Sequence, residues 1–379
     1  MLSALDWSKV PGIIETAIVF FILLGVIVVA HEWGHFLFAR WNKMGVEEFA
    51  IGFGKKIWVW MVKNGTEFTV RLFPLGGFVR IKGMEPQDDG SEVDIPNGFY
   101  SKSPLRRLSV LFAGPLFSVL AGVIVLCGLY FVAGVYKPSD QPVLGVVLPG
   151  SPAAKAGLQP GDRLISMNHH RIDSFYQAIV YVRWRGGDKI HLDYERKGKI
   201  EHTVVVPEKE KIPSPLLGPN LEPLPKTMIQ AKLGVAPDMV KKHIGFLESW
   251  SLSWRAPVQM TKGIIGLILK PERAKDEIGG IGMIALATSE ATKQGIESVI
   301  ALGAALSISI GIMNLLPIPP LDGGQMAVAF IEFLRGGRRL SIKMQSFIGF
   351  IGFAVLVALI LGTLWLDFQR IFFHKFLPK

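Results

Sequence analysis

The run IVVAHEWGHFLFAR at residues 27–40 sets His31, Glu32 and His35 into one of the most apolar stretches of the chain. Two histidines four apart share one face of a helix, and the glutamate projects beside them. This H-E-x-x-H spacing lets two imidazoles hold zinc while the carboxylate takes a proton as general base. Alone, the pattern also fits a helix-end cluster satisfied by water and loops. Ionisable side chains in a membrane helix cost on the order of 2.5–3.5 kcal/mol each, so such a cluster is paired, bound to something or functional.

A catalytic zinc needs a third protein ligand and an open position. The candidate is Asp322, in NLLPIPPLDGG, just past another apolar run. Pro317, Pro319 and Pro320 stop the helix there, and Gly323-Gly324 permit close backbone approach. A carboxylate on a broken, cavity-lining segment suits a buried metal site. A helix-capping aspartate before two glycines is the plainer alternative. His169 and His170 read as a solvated turn. His191, His202, His243 and His374 have polar neighbours and are assigned nothing.

Half of the 379 residues are hydrophobic, too many for an ordinary soluble enzyme. Four runs, 13–38, 105–135, 296–316 and 347–366, reach the length of about 20 residues that a bilayer requires. The first is too long for a signal-peptide core and no A-x-A-like site ends it, so it reads as a retained helix. Residues 250–269 carry Arg255, Pro257 and Lys262 and read as an amphipathic interfacial helix. The net charge of +10 is spread over segments flanking the apolar runs, which argues against nucleic acid as a partner. The single cysteine, Cys127, allows no intramolecular disulfide. Loop 335–343 carries four Lys/Arg and loop 40–107 eleven, which predicts that both are cytoplasmic. The termini and residues 136–295 then lie outside.

Within the first loop, KKIWVWMVKNGTEFTVRLFPLGGFVRIKG is strand-like, and Asn64-Gly65 predicts a tight hairpin turn. Both faces of IWVWMV are apolar, as expected of a hairpin dipping into the membrane face. EFTVRLF is the expected free edge, with Phe68, Thr69, Val70 and Arg71 adding an extended substrate as a further strand. Residues 143–207 alternate short β-rich runs with turns. The proline-rich stretch 207–237 reads as an extended linker.

HEWGH ending the first span, FPLGGFVRIKG, FAGP in the second span and NLLPIPPLDGG at the third together resemble the site-2 protease family, the bacterial regulator-of-sigma-E type being the nearest form. The resemblance implies an intramembrane zinc endopeptidase with His31, His35 and Asp322 on Zn2+ and Glu32 catalytic. It implies that Asn314 steadies substrate near the metal. Its substrates would be single-pass transmembrane proteins, such as anti-sigma factors or remnant signal peptides, cut within the lipid bilayer of the bacterial inner membrane. GSPAAKAGLQPGDRLISMN resembles a circularly permuted PDZ domain, whose partners would be peptide C-termini, with PVLGV as the carboxylate cradle. Ser118 stands where many relatives carry asparagine, and GGIGM at 279–283 departs from the usual G-P-I/V-G-I. A metal-ion transporter or a non-catalytic PDZ scaffold are the competing classes. Transport would not explain an adjacent glutamate base, a PDZ module or an edge hairpin, and a scaffold would not need HEWGH and LDG both intact.

The expected architecture is an α-helical polytopic membrane protein of about four transmembrane helices with a membrane-associated β-hairpin and an inserted PDZ-like domain. Residues 1–135 form the N-terminal membrane core with the hairpin loop at 50–83. Residues 140–207 form the PDZ-like domain, 208–294 the linker and interfacial segment, and 295–379 the C-terminal membrane core.

Overall fold

The computed structural model describes residues 10–85, 91–213, 227–270 and 278–373, and divides into two compact units, Met1–Ala133 with Ile244–Lys379, and Gly134–His243. The first unit opens with helix α1, Val10–Trp41. Its end is a Schellman turn: Met44 N–H bonds Ala39 O at 2.8 Å while Lys43 sits at φ 56°. Strands β1 (Val46–Lys63) and β2 (Thr66–Ile81) follow, joined at Asn64-Gly65, where both residues have positive φ as the hairpin turn demands.

The two long strands fold back on themselves. Gly52 and Gly54, at φ 90° and 84°, break β1 into two arms. Residues 67–70 then pair with 48–51 on one side and with 58–62 on the other, while 77–81 pair with 46–51. Residues 66–71 are therefore an inner strand, not the free edge expected from the sequence. The edges are 56–63 and 77–81. The 56–63 arm carries the exposed Ile57, Trp58 and Trp60. Helix α2, Pro104–Ala133, returns through the unit beside α1.

The second unit begins with β3 (Val135–Pro138), β4 (Leu144–Val147) and the short α3 (Pro152–Lys155). Strands β5 (Arg163–Met167), β6 (His170–Arg171), β7 (Ile190–Arg196) and β8 (Lys199–Val205) form a sheet in the order β6-β5-β7-β8, with α4 (Phe175–Val182) between β6 and β7 in the chain. Met167, Ile190 and Leu192 are fully buried in its core. The unit reaches well past residue 207. Strands β9 (Glu208–Pro213), β10 (Thr227–Lys232) and β11 (Val235–Pro237) lie in the stretch expected to be linker, and β12 (Met239–Lys242) follows it. β11 pairs with β4 and β12 with β3, so the segment after 227 closes the unit. Residues 214–226, the middle of the expected linker, lie outside the described residues.

The first unit resumes with α5 (Phe246–Ser253) and α6 (Arg255–Leu269), two helices where one was expected. Helix α7 is Ile281–Gln294, α8 is Ile296–Asn314, α9 is Asp322–Leu334 and α10 is Ile342–Phe373. Among the described residues four helices, at 14–41, 104–133, 296–314 and 343–371, are long and apolar enough to cross a membrane. The GGIGM glycines have a local cause. Asp367 of α10 accepts from Gly280 N–H at 3.0 Å and from Met283 N–H at 3.2 Å, and a Cβ at Gly280 would sit 2.7 Å from its Oδ2. Asp367, invisible as a cap in the sequence, thus ties the last span to the start of α7. Helices α2 and α8 meet through small residues, as close membrane helices do. A Cβ at Gly122 would lie 2.6 Å from Ala304 O, and one at Gly311 2.8 Å from Pro115 O. Ser307 Oγ donates to Ser118 O at 2.7 Å across the same interface.

Candidate metal centre

Helix α1 supplies His31, Glu32 and His35, and the first turn of α9 supplies Asp322. The two histidines and the aspartate converge. His31 Nε2 lies 3.0 Å and His35 Nε2 3.4 Å from Asp322 Oδ2, and the two Nε2 atoms are 3.3 Å apart. Both histidines are buried. Among the described residues this is the one group of three or more metal-type side chains whose donors all lie within 4.8 Å of one another.

The other ring nitrogens are engaged. His35 Nδ1 lies 2.8 Å from Val110 O, and His31 Nδ1 2.9 Å from Ser118 Oγ. A carbonyl only accepts, so His35 Nδ1 carries a proton, and in the neutral ring Nε2 then offers a lone pair on the side of Asp322. With both rings neutral and protonated at Nδ1, two lone pairs and a carboxylate converge, a set that a cation would satisfy. The fit to zinc is geometric as well. Four ligands at about 2.0–2.1 Å in a tetrahedron stand about 3.3–3.4 Å apart, close to the observed separations.

The backbone makes room for this. A Cβ at Gly114, in the FAGP run of α2, would collide with the His35 imidazole. On α9, Cβ atoms at Gly323 and Gly324 would collide with the backbone of 315–316 and 318–319. The tight turn that presents Asp322 therefore requires both glycines. Glu32 is partly buried, and the 77–81 edge runs beside it. A Cβ at Gly77 would lie 3.6 Å from Glu32 Cγ and 2.9 Å from Val28 Cγ1, and the Val79 backbone faces the Glu32 carboxylate.

The residues expected to hold substrate fare differently. Phe68 is buried, and Thr69 Oγ1 donates to Glu48 Oε1 at 2.6 Å. Arg71 bonds both Glu48 oxygens, 2.8 Å from Nη2 to each, and Gly54 O at 2.7 Å. Burial pushes the Glu48 carboxyl up, but the bonds from Thr69 and Arg71 outweigh it and hold the group below its ordinary range. Phe68, Thr69, Val70 and Arg71 are thus internal to the sheet, because each flank of their strand is already paired. Asn314 closes α8, half-buried, and makes no hydrogen bond to the cluster among the described residues.

In the inserted unit, β4 pairs with β11, and Val146 at the end of the expected cradle PVLGV lines the groove beside α4. A cavity of about 330 Å³ runs between α4, through Phe175, Ala178 and Ile179, and residues 230–236. The overlooked signal is KLGVA, an apolar-Gly-apolar run with Gly234 at φ 74°, masked by its proline-rich surroundings.

The model of peptidase family M50 matches residues 19–359. Similar curated proteins include the zinc metalloprotease RasP of Geobacillus kaustophilus, 27% identical with 95% of this chain and 99% of that protein covered. The protease Eep of Enterococcus faecalis is 28% identical, covering 95% and 100%. A Helicobacter pylori protein named as a zinc metalloprotease is 33% identical, covering 93% and 99%. Among solved structures, the chain is similar to the PDZ domain of an SdrC-like protein from Listeria monocytogenes, 19% identical over 25% of this chain and 93% of that one, with a TM-score of 0.17. The chain belongs to peptidase family M50, the site-2 proteases, and is a multi-pass, zinc-dependent membrane protease that cleaves membrane proteins within the bilayer.

Proposed function

We propose that His31, His35 and Asp322 hold the zinc and that Glu32 is the general base. The observation that carries this reading is the convergence of two Nε2 atoms and a carboxylate with a hydrogen already committed to Val110 O. Zinc bound there supplies a Lewis acid for the scissile carbonyl and lowers the pKa of water to about 7. Glu32 accepts the proton of the attacking water and returns it to the leaving amine.

A transmembrane helix must be unwound before its peptide bonds can be reached. The edge 77–81 supports pairing with an extended substrate, since it lies against Glu32 and has a partner strand on one side only. The substrate adds there as a further strand. Asn314, ahead of Asp322 in the chain, steadies it near the reacting carbonyl. The HEWGH and LDG ends face the cytoplasm of a bacterial inner membrane, in keeping with the basic loop 335–343. The inserted unit faces outward, and its α4 groove takes peptide C-termini. Substrates are single-pass proteins such as anti-sigma factors or remnant signal peptides. The domain reading keeps 1–135 and 295–379 as the two halves of the membrane core.

Glu32→Gln tests the chemistry: zinc per mole stays at the wild-type value while cleavage of a reconstituted transmembrane substrate disappears. Retained cleavage refutes the base assignment, and lost zinc means that Glu32 supports the metal. For topology, cysteines placed at Ser174 and Ser341 in a Cys127→Ala background are labelled on intact cells with an impermeant thiol reagent. Ser174 should label and Ser341 should not; the reverse inverts the model.

A further inference from the structure

The two imidazoles are held in different ways. His35 is held by a backbone carbonyl, Val110 O, which no side-chain substitution removes. His31 is held by a side chain: Ser118 Oγ, fully buried, sits 2.9 Å from its Nδ1. We propose that Ser118 is the positioning residue for His31, fixing the Nδ1–H form and the ring rotation that turn Nε2 toward Asp322. The inference rests on the zinc reading above.

Three features of the site support it. A hydroxyl oxygen accepts from an imidazole N–H, and with Nε2 given to a metal the proton must reside on Nδ1. The serine is itself located, because Ser307 Oγ donates to its carbonyl at 2.7 Å and so locks this turn of α2 against α8. The space is tailored, since a Cβ at Gly311 would stand only 3.0 Å from Ser118 Cβ. A second side chain on α8, Ser307, thereby belongs to the packing and not to the metal, which provides a control.

The experiment uses the full chain in lipid nanodiscs. Zn2+ affinity is read by competition with a chromophoric chelator, and Co2+ bound in place of Zn2+ is read by its visible absorption. Ser118→Ala should weaken Zn2+ binding by about 10–100-fold, the usual effect of losing a contact that orients a ligand, and shift the Co2+ bands. Ser118→Asn or Ser118→Thr, each restoring an acceptor, should recover affinity and bands. Ser307→Ala should lower thermal stability and cost far less Zn2+ affinity than Ser118→Ala. Wild-type affinity and Co2+ bands in Ser118→Ala overturn the proposal. So does an equal loss in Ser307→Ala, because the effect is then helix packing. His31→Ala separates the two readings. If it keeps Zn2+, the metal centre itself is wrong; if it loses Zn2+ while Ser118→Ala does not, the positioning role alone fails.

Discussion

Helix α9 carries a carboxylate at each end, Glu332 fully buried and Asp322 half-buried, and the two ends are built differently. At its C-terminal end, Glu332 bonds Arg107 Nη2 at 2.7 Å and the Leu340 N–H at 3.1 Å, with its side chain wholly out of solvent. A guanidinium and an amide complete that carboxylate with hydrogens of fixed position. At the N-terminal end, Asp322 meets two imidazole nitrogens whose rings are engaged elsewhere. Burial alone therefore does not mark a functional acid. What separates the two is whether the partners bring hydrogens or lone pairs. By this measure the first end is finished as protein, and the second offers a donor set that a cation would complete.

The sharpest break of this contrast is Asp322→Ala. It should lose stoichiometric zinc and all measurable cleavage, a larger loss than the roughly 100-fold that a missing supporting contact costs. Metal analysis of the purified variant decides it, and full occupancy would erase the distinction. Gly114→Ala comes next. Its methyl group would press on His35, so zinc affinity should fall by about 10–100-fold with the fold kept. Glu332→Gln should act on stability instead. It strands Arg107 in the interior, a change worth about 3–5 kcal/mol, while zinc per mole at low temperature stays at the wild-type value. A joint loss of zinc and stability would mean that the two ends are one unit.

The smallest effect concerns Glu48, another buried acid of the finished kind. Its folded pKa lies below its unfolded one, so its contribution is present above the unfolded pKa and lost as pH falls through the folded value. Glu48→Gln should therefore lower Tm at neutral pH, and the gap to wild type should close on acidification below about pH 4. A gap constant with pH would show that the carboxylate charge contributes nothing.

The sequence was most legible where polar residues interrupt apolar runs. His31, His35 and Asp322 stand out in this way, and the four spans follow from length alone. It was least legible where one backbone pairs with another. Nothing in EFTVRLF reveals that 48–51 will occupy its second flank, because that pairing depends on the bend at Gly52 and Gly54. The strands at 235–242 were hidden for a related reason: each is short and takes its partner from residues about 90–105 positions earlier. Ser118 could be singled out in the sequence as unusual, but its contact with His31 spans 87 residues and needs the helices in place.

The α2–α8 interface has a practical side for anyone extracting this enzyme. It combines backbone proximity at Gly122 and Gly311 and the Ser307 hydrogen bond with interlocked side chains such as Val123, Leu126 and Ile308, a fit that a mobile surfactant tail does not reproduce. Solubilisation should therefore leave this seam intact. The 56–63 arm presents Trp58 and Trp60 outward and owes its environment to whatever amphiphile surrounds it. Choice of detergent should accordingly change turnover before it changes metal content, and a preparation that holds full zinc yet cleaves poorly would be repaired by returning it to lipid.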